Sequence, residues 1–447
     1  MRKWIVLISA IAIALIAFFI AKPRISENNY QRGLVYFDSL MYQKAIDYFD
    51  KAIMFKKSSE KALLKRAQAY YQLDQNKNSM EDFNRILELN AANNDALFGR
   101  SLVYFMNKDY EKAITDLNKA ISIKNDLAEY HYFLGYSMSN LKKYDEALQS
   151  LNRAITLDSL FAEAYHQRGI VKANLGDLEG SVKDFNKAIE LDKENLDAYQ
   201  RRVKFRIDKE DYRGAIADYD AIIELDANNQ DAYYQRGYFK LQLKDFEGAL
   251  ADFNKSIEIN PKDIKSYKKR GNAKAGLGRY NEAIEDFNKA IQMDKADYEA
   301  HYRKAMVYMN LSDIQNAMNS LNTALKLKSD YTEAYYMRGV AKAMQQGYEA
   351  SLRDFDLAIK YNKNYYDAYL GRAVSYGILK KHKEALADYD FYLNHVKDNG
   401  NAFLNRGVSR ININDYKGGC EDFTKALELG VEQAQAMLNM YCSSQKK

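Results

Sequence analysis

Residues 230–263 read QDAYYQRGYFKLQLKDFEGALADFNKSIEINPKD, and this stretch decides the fold. Its apolar residues recur every three or four positions, which is the period of an α-helix, and short turns such as Leu277-Gly278-Arg279 in the next stretch divide each unit into two halves. The pattern repeats without a gap in twelve windows of 34 residues, from residue 26 to residue 433. A fixed period of this length predicts a solenoid, in which each unit buries its apolar face against its neighbours.

Three positions of the window predict how its two helices pack together. Position 20 is small in every window (Ala249 in the stretch above), and position 8 is small in all but one (Gly237 here, with Val203 as the exception). Position 24 is always Phe, Tyr or Leu, and Phe253 occupies it here. Small residues let the two helix axes approach, and we expect the ring at position 24 to fill the space between them.

This pattern resembles the tetratricopeptide repeat (TPR) family. Tyr233-Tyr234-Gln235-Arg236-Gly237, then Gly248-Ala249-Leu250-Ala251-Asp252-Phe253, and finally Pro261 match a full motif of that family. Basic residues at position 11, such as Lys274, depart from it, because the family favours Tyr there. Since the windows cover 408 of 447 residues, the resemblance implies an all-α fold: a right-handed α-α superhelical solenoid of about twelve TPR helix pairs, preceded by one transmembrane or signal helix.

A charge pair recurs with the same period. Position 7 is Arg in ten windows, position 23 is Asp in nine, and every window with the Asp also has the Arg. The two positions are nearly symmetric about the turn, so we expect an ion pair between the two helices, such as Arg236 with Asp252. The fourth window has Leu134 and Ser150 instead. The alternative is a basic stripe that binds anions, but a partly buried Arg–carboxylate pair that specifies geometry is the favoured interpretation.

A longer period of 170 residues underlies the short one. Ser150-Leu151-Asn152 recurs as Ser320-Leu321-Asn322, and Ala217-Asp218-Tyr219-Asp220 recurs as Ala387-Asp388-Tyr389-Asp390. This indicates that a block of five repeats was copied. The unusual fourth and ninth windows therefore reflect either that duplication or a function of their own.

The N-terminus carries an uncharged run of 18 residues from Trp4 to Ala21. As a helix it would measure about 27 Å, close to the hydrocarbon core of about 30 Å. We expect Lys22-Pro23-Arg24 to end it, and residues 1–25 to form an uncleaved membrane anchor. A cleaved signal peptide, which would leave a secreted protein, is the alternative, but its apolar region is usually shorter. The basic N-terminus favours repeats on the far side of the membrane, which is the periplasm in a bacterium.

The composition argues against several functions. The chain has 66 basic and 61 acidic residues, and this mixture is typical of a solvated helical surface, not of a nucleic-acid-binding patch. Cys420 and Cys442 are too few for a disulfide framework or a zinc site, and Cys420 is expected to be packed in the last repeat. Residues 434–447 have room only for one C-terminal capping helix and a tail.

Nothing in the sequence predicts catalysis. The five histidines are scattered; His131 and His301 occupy packing positions, and only His166 is expected to face the groove. The sequence has no His-Glu-x-x-His, Walker-type or Gly-x-Ser-x-Gly motif. We therefore predict that the protein is not an enzyme and uses no cofactor, metal or small-molecule substrate.

In the TPR family, positions 2, 5, 6, 9, 12 and 13 of the first helix line the concave wall. Position 2 is acidic in nine of twelve windows, where a carboxylate also complements the helix dipole. Applied to this chain, the resemblance implies an aromatic section in repeats 3 and 4, a basic section in the middle, and a Tyr/Met section in repeats 9 and 10. The predicted partner-binding groove comprises Phe98, Phe105, Tyr132, Phe133, Tyr136, His166, Arg201, Lys204, Tyr234, Tyr238, Lys268, Lys269, Asn272, Tyr302, Arg303, Met306 and Tyr336.

Some TPR co-chaperones hold a C-terminal carboxylate with a Lys/Asn clamp. Lys268 and Asn272 match its first half, but Arg303, Glu333 and Met337 stand where the rest would be. An acidic or mixed peptide with apolar anchors is therefore the better expectation.

The sequence predicts a membrane-tethered, non-catalytic scaffold that binds a protein or peptide partner in the TPR groove to assemble an envelope complex. We expect contact with the membrane through residues 4–21 and none with nucleic acid. Two alternatives stand beside this one: a chaperone-like holder of secreted or unfolded clients, and an accessory subunit of an enzyme complex.

Overall fold

The computed structural model describes residues 2–442, without the side chains of residues 2–11, 13, 14, 17 and 18. Every regular element in this range is an α-helix. Odd-numbered helices α1 to α23 are the first helix (helix A) of a pair, even-numbered helices are the second (helix B), and α25 follows the last pair. The helices are α1 Arg2–Asp38, α2 Tyr42–Phe55, α3 Glu60–Gln72, α4 Asn76–Leu89, α5 Asn94–Met106, α6 Tyr110–Ile123, α7 Ala128–Asn140, α8 Tyr144–Leu157, α9 Ala162–Asn174, α10 Leu178–Leu191, α11 Leu196–Asp208, α12 Tyr212–Leu225, α13 Gln230–Gln242, α14 Phe246–Ile259, α15 Ile264–Gly276, α16 Tyr280–Met293, α17 Tyr298–Asn310, α18 Ile314–Leu327, α19 Thr332–Met344, α20 Tyr348–Tyr361, α21 Tyr366–Ile378, α22 His382–His395, α23 Gly400–Asn412, α24 Tyr416–Glu428 and α25 Gln433–Tyr441.

The chain divides into two compact units, residues 1–225 and 226–447. Unit 1 contains α1 to α12 and unit 2 contains α13 to α25. Within each unit, helix A packs against its own helix B and against helix B of the pair before it. Each pair therefore covers the apolar face of its neighbour, and the predicted all-helical repeat solenoid is confirmed for both units.

The turn inside every pair has the same backbone conformation. Position 15 has a positive φ in all twelve pairs, at two glycines and at ten other residues such as Lys244, whose φ is 61°. The N–H of Asp245 then donates to the carbonyl oxygen of Lys240 at 2.9 Å, which closes helix A. The Asp245 carboxylate accepts the N–H of Gly248 at 3.0 Å and so caps helix B.

The core of a pair is packed as the sequence predicts. Ala249 and Phe253 are fully buried between the two helices. A Cβ atom at Gly237 would lie 3.0 Å from Cε1 of Phe253 and 3.1 Å from the Cβ of Asp252. Glycine at position 8 therefore lets the aromatic ring at position 24 lie directly against the backbone of helix A.

The predicted ion pair is present in all nine repeats that carry both residues. In repeat 8, Nε and Nη2 of Arg270 donate to the two carboxylate oxygens of Asp286 at 2.9 and 2.6 Å. Nη1 of Arg270 donates to Oδ1 of Asn254 in the preceding repeat at 2.9 Å. One arginine thus joins both helices of its own pair to the pair before it.

Basic residues at position 11, where the chain departs from the TPR pattern, complete this cluster. The Lys274 ammonium lies 2.9 Å from Asp286, so this buried carboxylate contacts two cations. All six such residues contact the Asp that follows 12 positions later: Lys172, Arg206, Lys240, Lys274, Lys342 and Arg410. The departure is therefore structural, because a desolvated carboxylate is stabilised by a second cation.

The first helix corrects one expectation. α1 continues from Arg2 to Asp38 with Pro23 inside it, so the prediction that Lys22-Pro23-Arg24 ends a helix is wrong. A proline inside a helix removes one backbone donor and strains the preceding turn, but the segment after it is held against α2, where the Ser26 hydroxyl donates to the Ala52 carbonyl oxygen at 2.8 Å. The run from Trp4 to Ala21 lies largely outside the residues whose side chains are described. Among those that are described, no helix has both the length and the apolar character needed to cross a membrane.

The C-terminal end of the chain corrects a second expectation, which concerns its two cysteines. Cys420 and Cys442 form a disulfide, with their Cα atoms 5.8 Å apart, although the sequence led us to expect none. The reason is that α25 folds back against α24 and brings Cys442 beside the last repeat. Ala434 is buried there, and Met437, Leu438 and other apolar residues of this end pack around it.

Candidate partner-binding walls

We call the helix A residues at positions 2, 5, 6, 9, 12 and 13 the wall of each unit. Position 2 of one helix A lies against positions 5 and 6 of the helix A before it. Glu299, at position 2, accepts a hydrogen bond from Lys268 at position 5 of the preceding repeat at 2.9 Å. Wall residues that are about 30 positions apart in sequence are therefore neighbours in space.

Five predicted groove residues form one aromatic patch on the wall of unit 1. The ring of Phe105 lies 5.5 Å from Phe133 and 4.9 Å from Tyr136, both edge-on. Phe133 also contacts Phe98 at 5.9 Å and Tyr132 at 5.0 Å. All five are partly buried. The patch therefore offers aromatic faces and edges to a partner without being sealed in the core.

Unit 1 has two cavities that include predicted groove residues. The first, of about 280 Å³, has apolar walls and shares Phe98 with the patch. The second, of about 230 Å³, includes the predicted residues Arg201 and Lys204. Either is large enough for an apolar side chain of a partner. The first is lined by Phe37, Gln68, Tyr71, Gln72, Phe83, Asp95, Phe98, Gly99 and Leu102, and the second by Ala173, Leu178, Ser181, Phe185, Arg201, Lys204, Phe205 and Asp208.

Two of the three predicted basic groove residues of unit 1, His166 and Arg201, contact the same carboxylate. Asp197, at position 2, lies 2.7 Å from Nε2 of His166 and 2.6 Å from Nε of Arg201. Burial raises the pKa of Asp197, but the hydrogen bond and charge of Arg201 outweigh it and the pKa is lowered overall. Burial lowers the pKa of His166 in spite of the nearby carboxylate. Arg201 and Lys204 are both exposed, and Arg201 is the one that contacts Asp197.

The basic residues of unit 2 surround the acidic side chain of Glu299. Lys268 lies 2.9 Å from both Asp297 and Glu299. Burial lowers the pKa of Lys268, but the hydrogen bonds to these carboxylates outweigh it, so the pKa is raised overall. Arg303 is 3.7 Å from Glu299. Lys268 is thus already held by two carboxylates of its own chain, which adds a physical reason against the carboxylate clamp that Lys268 and Asn272 resemble.

Three aromatic residues that the sequence interpretation missed extend the walls. Phe161, Tyr331 and Tyr365 stand at the N-cap of α9, α19 and α21, and none of their side chains caps its helix. Each ring lies against the residue at position 5 of the preceding helix A, with centroid distances of 4.9 Å for Phe161, 5.1 Å for Tyr331 and 5.3 Å for Tyr365. Six other helices A have Asn or Asp at this position, and each accepts the expected capping hydrogen bond. An aromatic residue at position 34 was the available signal.

The remaining predicted residues lie along the wall of unit 2. The ring of Tyr234 is 6.0 Å from Phe253, and burial raises the pKa of its hydroxyl. Tyr238 lies under the Lys269 ammonium, with 5.0 Å between the nitrogen and the ring centroid. Met306 is partly buried on α17, between Tyr302 and the end of the helix. Within residues 2–442 as described, no group of three or more His, Cys, Asp or Glu side chains is placed to hold a metal ion.

Comparisons with known proteins agree with the repeat architecture. Two tetratricopeptide repeat models match residues 162–195, 231–263, 264–297 and 298–331. A model described as anaphase-promoting complex, cyclosome, subunit 3 matches residues 75–154. No curated protein sequence matches the chain.

Solved structures with a similar backbone share little sequence with this chain. The Cut9–Hcn1 hetero-tetramer of the APC/C is 12% identical with a TM-score of 0.46, over 94% of this chain and 96% of that one. Yeast Tom70 is 17% identical with a TM-score of 0.39, over 95% and 100%. A tetratricopeptide repeat protein from Parabacteroides merdae is 20% identical with a TM-score of 0.38, over 56% and 98%. The family models confirm that this chain contains tetratricopeptide repeats, a scaffold typical of protein–protein interaction.

Proposed function

We propose that this protein is a membrane-tethered, non-catalytic scaffold that binds a partner peptide or helix on its walls and assembles an envelope complex. The aromatic N-caps carry this proposal. At Phe161, Tyr331 and Tyr365 the chain gives up a capping hydrogen bond worth about 1 kcal/mol. In return it gains an aromatic ring beside a predicted groove residue. Residues that depart from the local sequence preference, here for a capping Asn or Asp, are most often found at functional sites.

The charged wall residues support a binding role over a catalytic one. His166 and Lys268, two titratable residues of the walls, are engaged by carboxylates of the same chain. Aromatic and methionine side chains make up the rest of the wall sections that we predict to bind. Such residues supply most of the binding energy of protein interfaces.

Two observations support the tether and an extracytoplasmic location. The chain's only two cysteines are joined in a disulfide, and disulfides persist in oxidising compartments such as the periplasm. The described apolar side chains in the N-terminal run, Leu15, Ile16, Phe19 and Ile20, are between 53 and 72% exposed. Exposed apolar side chains in a row are suited to a lipid environment.

Crosslinking from the wall tests partner binding. A photoreactive side chain at Tyr136 or Met306 should capture one stoichiometric partner in cells, whereas the same group at the exposed helix B residue Lys289 should not. Replacing Phe105 and Phe133 with Ala should reduce the capture from Tyr136. Capture from Lys289 alone would contradict wall binding.

Thiol labelling and fractionation test the location. In intact cells, Cys420 and Cys442 should react with a maleimide only after reduction, and the protein should sediment with membranes until residues 1–25 are deleted. Free thiols in unreduced cells would contradict the extracytoplasmic location, and an unchanged distribution after the deletion would contradict the tether.

A chaperone-like holder is the second candidate, because one feature of unit 2 favours it. Met306, Met309 and Met337 lie on α17 and α19, and flexible methionine surfaces adapt to many ligands. Crosslinking distinguishes the two candidates. Many captured clients would support the holder, and one dominant partner would support the scaffold.

A further inference from the structure

Positive charge is in excess at repeats 8 and 9 of unit 2. Three cations, Lys268, Lys269 and Arg303, lie around the two carboxylates Asp297 and Glu299. Both carboxylates contact Lys268, and Glu299 also contacts Arg303. Within the described part of the chain, no carboxylate oxygen lies within ion-pair distance of Lys269, which is only partly buried. Lys269 is therefore the cation of this group that a ligand could neutralise.

On the wall of the next two repeats, the carboxylates Glu333 and Asp367 are without a cationic partner among the described residues. Glu333 and Asp367 occupy position 2, as Glu299 does in repeat 9, where it reaches a lysine at position 5 of the preceding helix A. For Glu333 and Asp367 the corresponding position-5 residues are the tyrosines Tyr302 and Tyr336. Burial raises the pKa of both hydroxyls, and the charges of Glu333 and Asp367 raise them further. Both carboxylates are exposed, and neither has a cation within ion-pair distance among the described residues.

Apolar side chains also lie on the wall between Lys269 on α15 and Asp367 on α21. Met306 on α17 and Met337 and Val340 on α19 are partly buried and uncharged. The rings of Tyr331 and Tyr365 border this stretch at the two aromatic N-caps. A ligand that crosses from repeat 8 to repeat 11 therefore meets the Lys269 cation on α15, apolar side chains on α17 and α19, and carboxylates on α19 and α21.

We propose that the wall of unit 2 binds a dipolar segment of the protein partner, with acidic residues at Lys269, an apolar centre, and basic residues at Glu333 and Asp367. The inference rests on the proposed function, since it assumes that this wall binds a protein. A segment of one sign would bring like charges together at one of the two ends, which disfavours it.

The spacing bounds the length of that segment. Three steps between successive helices A separate repeat 8 from repeat 11, and since directly packed helices lie about 8–10 Å apart, the span is at least roughly 24–30 Å. An extended segment covers this distance with about eight residues at roughly 3.3 Å per residue. A helix at about 1.5 Å per residue needs roughly 16–20 residues.

Synthetic peptides test the charge order with the full-length protein in detergent. Four fluorescein-labelled extended peptides of about 12 residues share one apolar centre and differ in their ends: acidic then basic, basic then acidic, both acidic, and both basic. We expect one of the two dipolar peptides to bind at least about fivefold more tightly than either single-sign peptide, as exposed charge pairs allow. Equal affinities for all four would overturn the inference.

Charge-swapped variants sharpen the test. Lys269→Glu combined with Glu333→Lys and Asp367→Lys should invert the preference from one dipolar peptide to the other. The matched control, Lys289→Glu with Glu349→Lys on helices B of repeats 8 and 10, should leave the preference unchanged. A swap that fails to invert the preference, or the absence of binding by any peptide, would overturn the dipolar segment. Crosslinking from Met306 would still decide the proposed function independently.

Discussion

Removing one buried carboxylate should destabilise this protein more than removing the whole charged cluster that contains it. The side chain of Asp286 is 4% exposed and is contacted by Arg270 and Lys274, which are 18 and 10% exposed. Asp286→Ala leaves both cations buried without their partner. Breaking a buried ion pair from one side costs about 3–5 kcal/mol, and we expect about 3 kcal/mol here because Arg270 retains contact with water and with Asn254.

Repeat 4 supplies the control for this experiment. It has Leu134, Met138 and Ser150 at the three positions, with the Ser150 hydroxyl 3.8 Å from the Met138 sulfur. The triple variant Arg270→Leu/Lys274→Met/Asp286→Ser transfers this uncharged set into repeat 8. Because no ion is left unpaired, we expect it to remain within about 1 kcal/mol of the wild type.

Local stability is the quantity to measure, because a repeat array can unfold in parts. Urea unfolding followed by circular dichroism gives the overall free energy change. Hydrogen exchange of the α15 and α16 amides shows whether repeat 8 is the part that opens. Equal losses of stability in Asp286→Ala and in the triple variant would refute the argument from unpaired buried charge.

Three further predictions follow from single sites. Burial lowers the pKa of His131, so the stability that its neutral form contributes is complete above about pH 6.5 and is lost as the pH falls. His131→Tyr should therefore reduce the dependence of the unfolding free energy on pH between about pH 7.5 and 5.5. An unchanged pH dependence would contradict this. The disulfide closes a segment of 22 residues, so Cys442→Ser should lower the unfolding free energy measured in urea by about 3 kcal/mol and loosen α25 first. An unchanged unfolding free energy would show that packing alone holds α25. Tyr365→Asn should restore a helix cap worth about 1 kcal/mol and lose a ring contact of similar size; thermal unfolding should change little, while crosslinking from Met306 falls, and a large loss of stability would assign Tyr365 to the framework instead.

Much of the fold was predictable because the same pattern of small, aromatic and charged residues recurs in twelve windows of the sequence. A single Gly237 or Phe253 could have many causes, but a small residue at position 8 in eleven of twelve windows, with Phe, Tyr or Leu at position 24 in all twelve, indicates one packing arrangement. The Arg236–Asp252 pair followed for the same reason. The cation at position 11 was not predicted, since its contact with the same carboxylate depends on the crossing of two helices and not on either residue's neighbours in sequence.

The site was less predictable, because it depends on contacts between repeats. Resemblance to the TPR family supplied the positions of the wall, and the rings from Phe98 to Tyr136 do meet there. It did not show that Asp197 contacts the predicted groove residue His166 of the preceding repeat, or that rings at position 34 reach the wall. Both contacts join residues about 30 positions apart that the sequence gives no reason to pair.

The sequence by itself determined the repeat, its two helices and the residues that hold them together, because those features are local and are copied in every window. Only the tertiary structure decided which charges remain available to a partner and how the chain ends. Lys268 and Lys269 are adjacent in sequence, yet one is held by two carboxylates and the other by none among the described residues. Cys420 and Cys442 meet only because α25 folds back on α24. A side chain's availability is set by what the neighbouring repeat places beside it, and that is a property of the stacked structure.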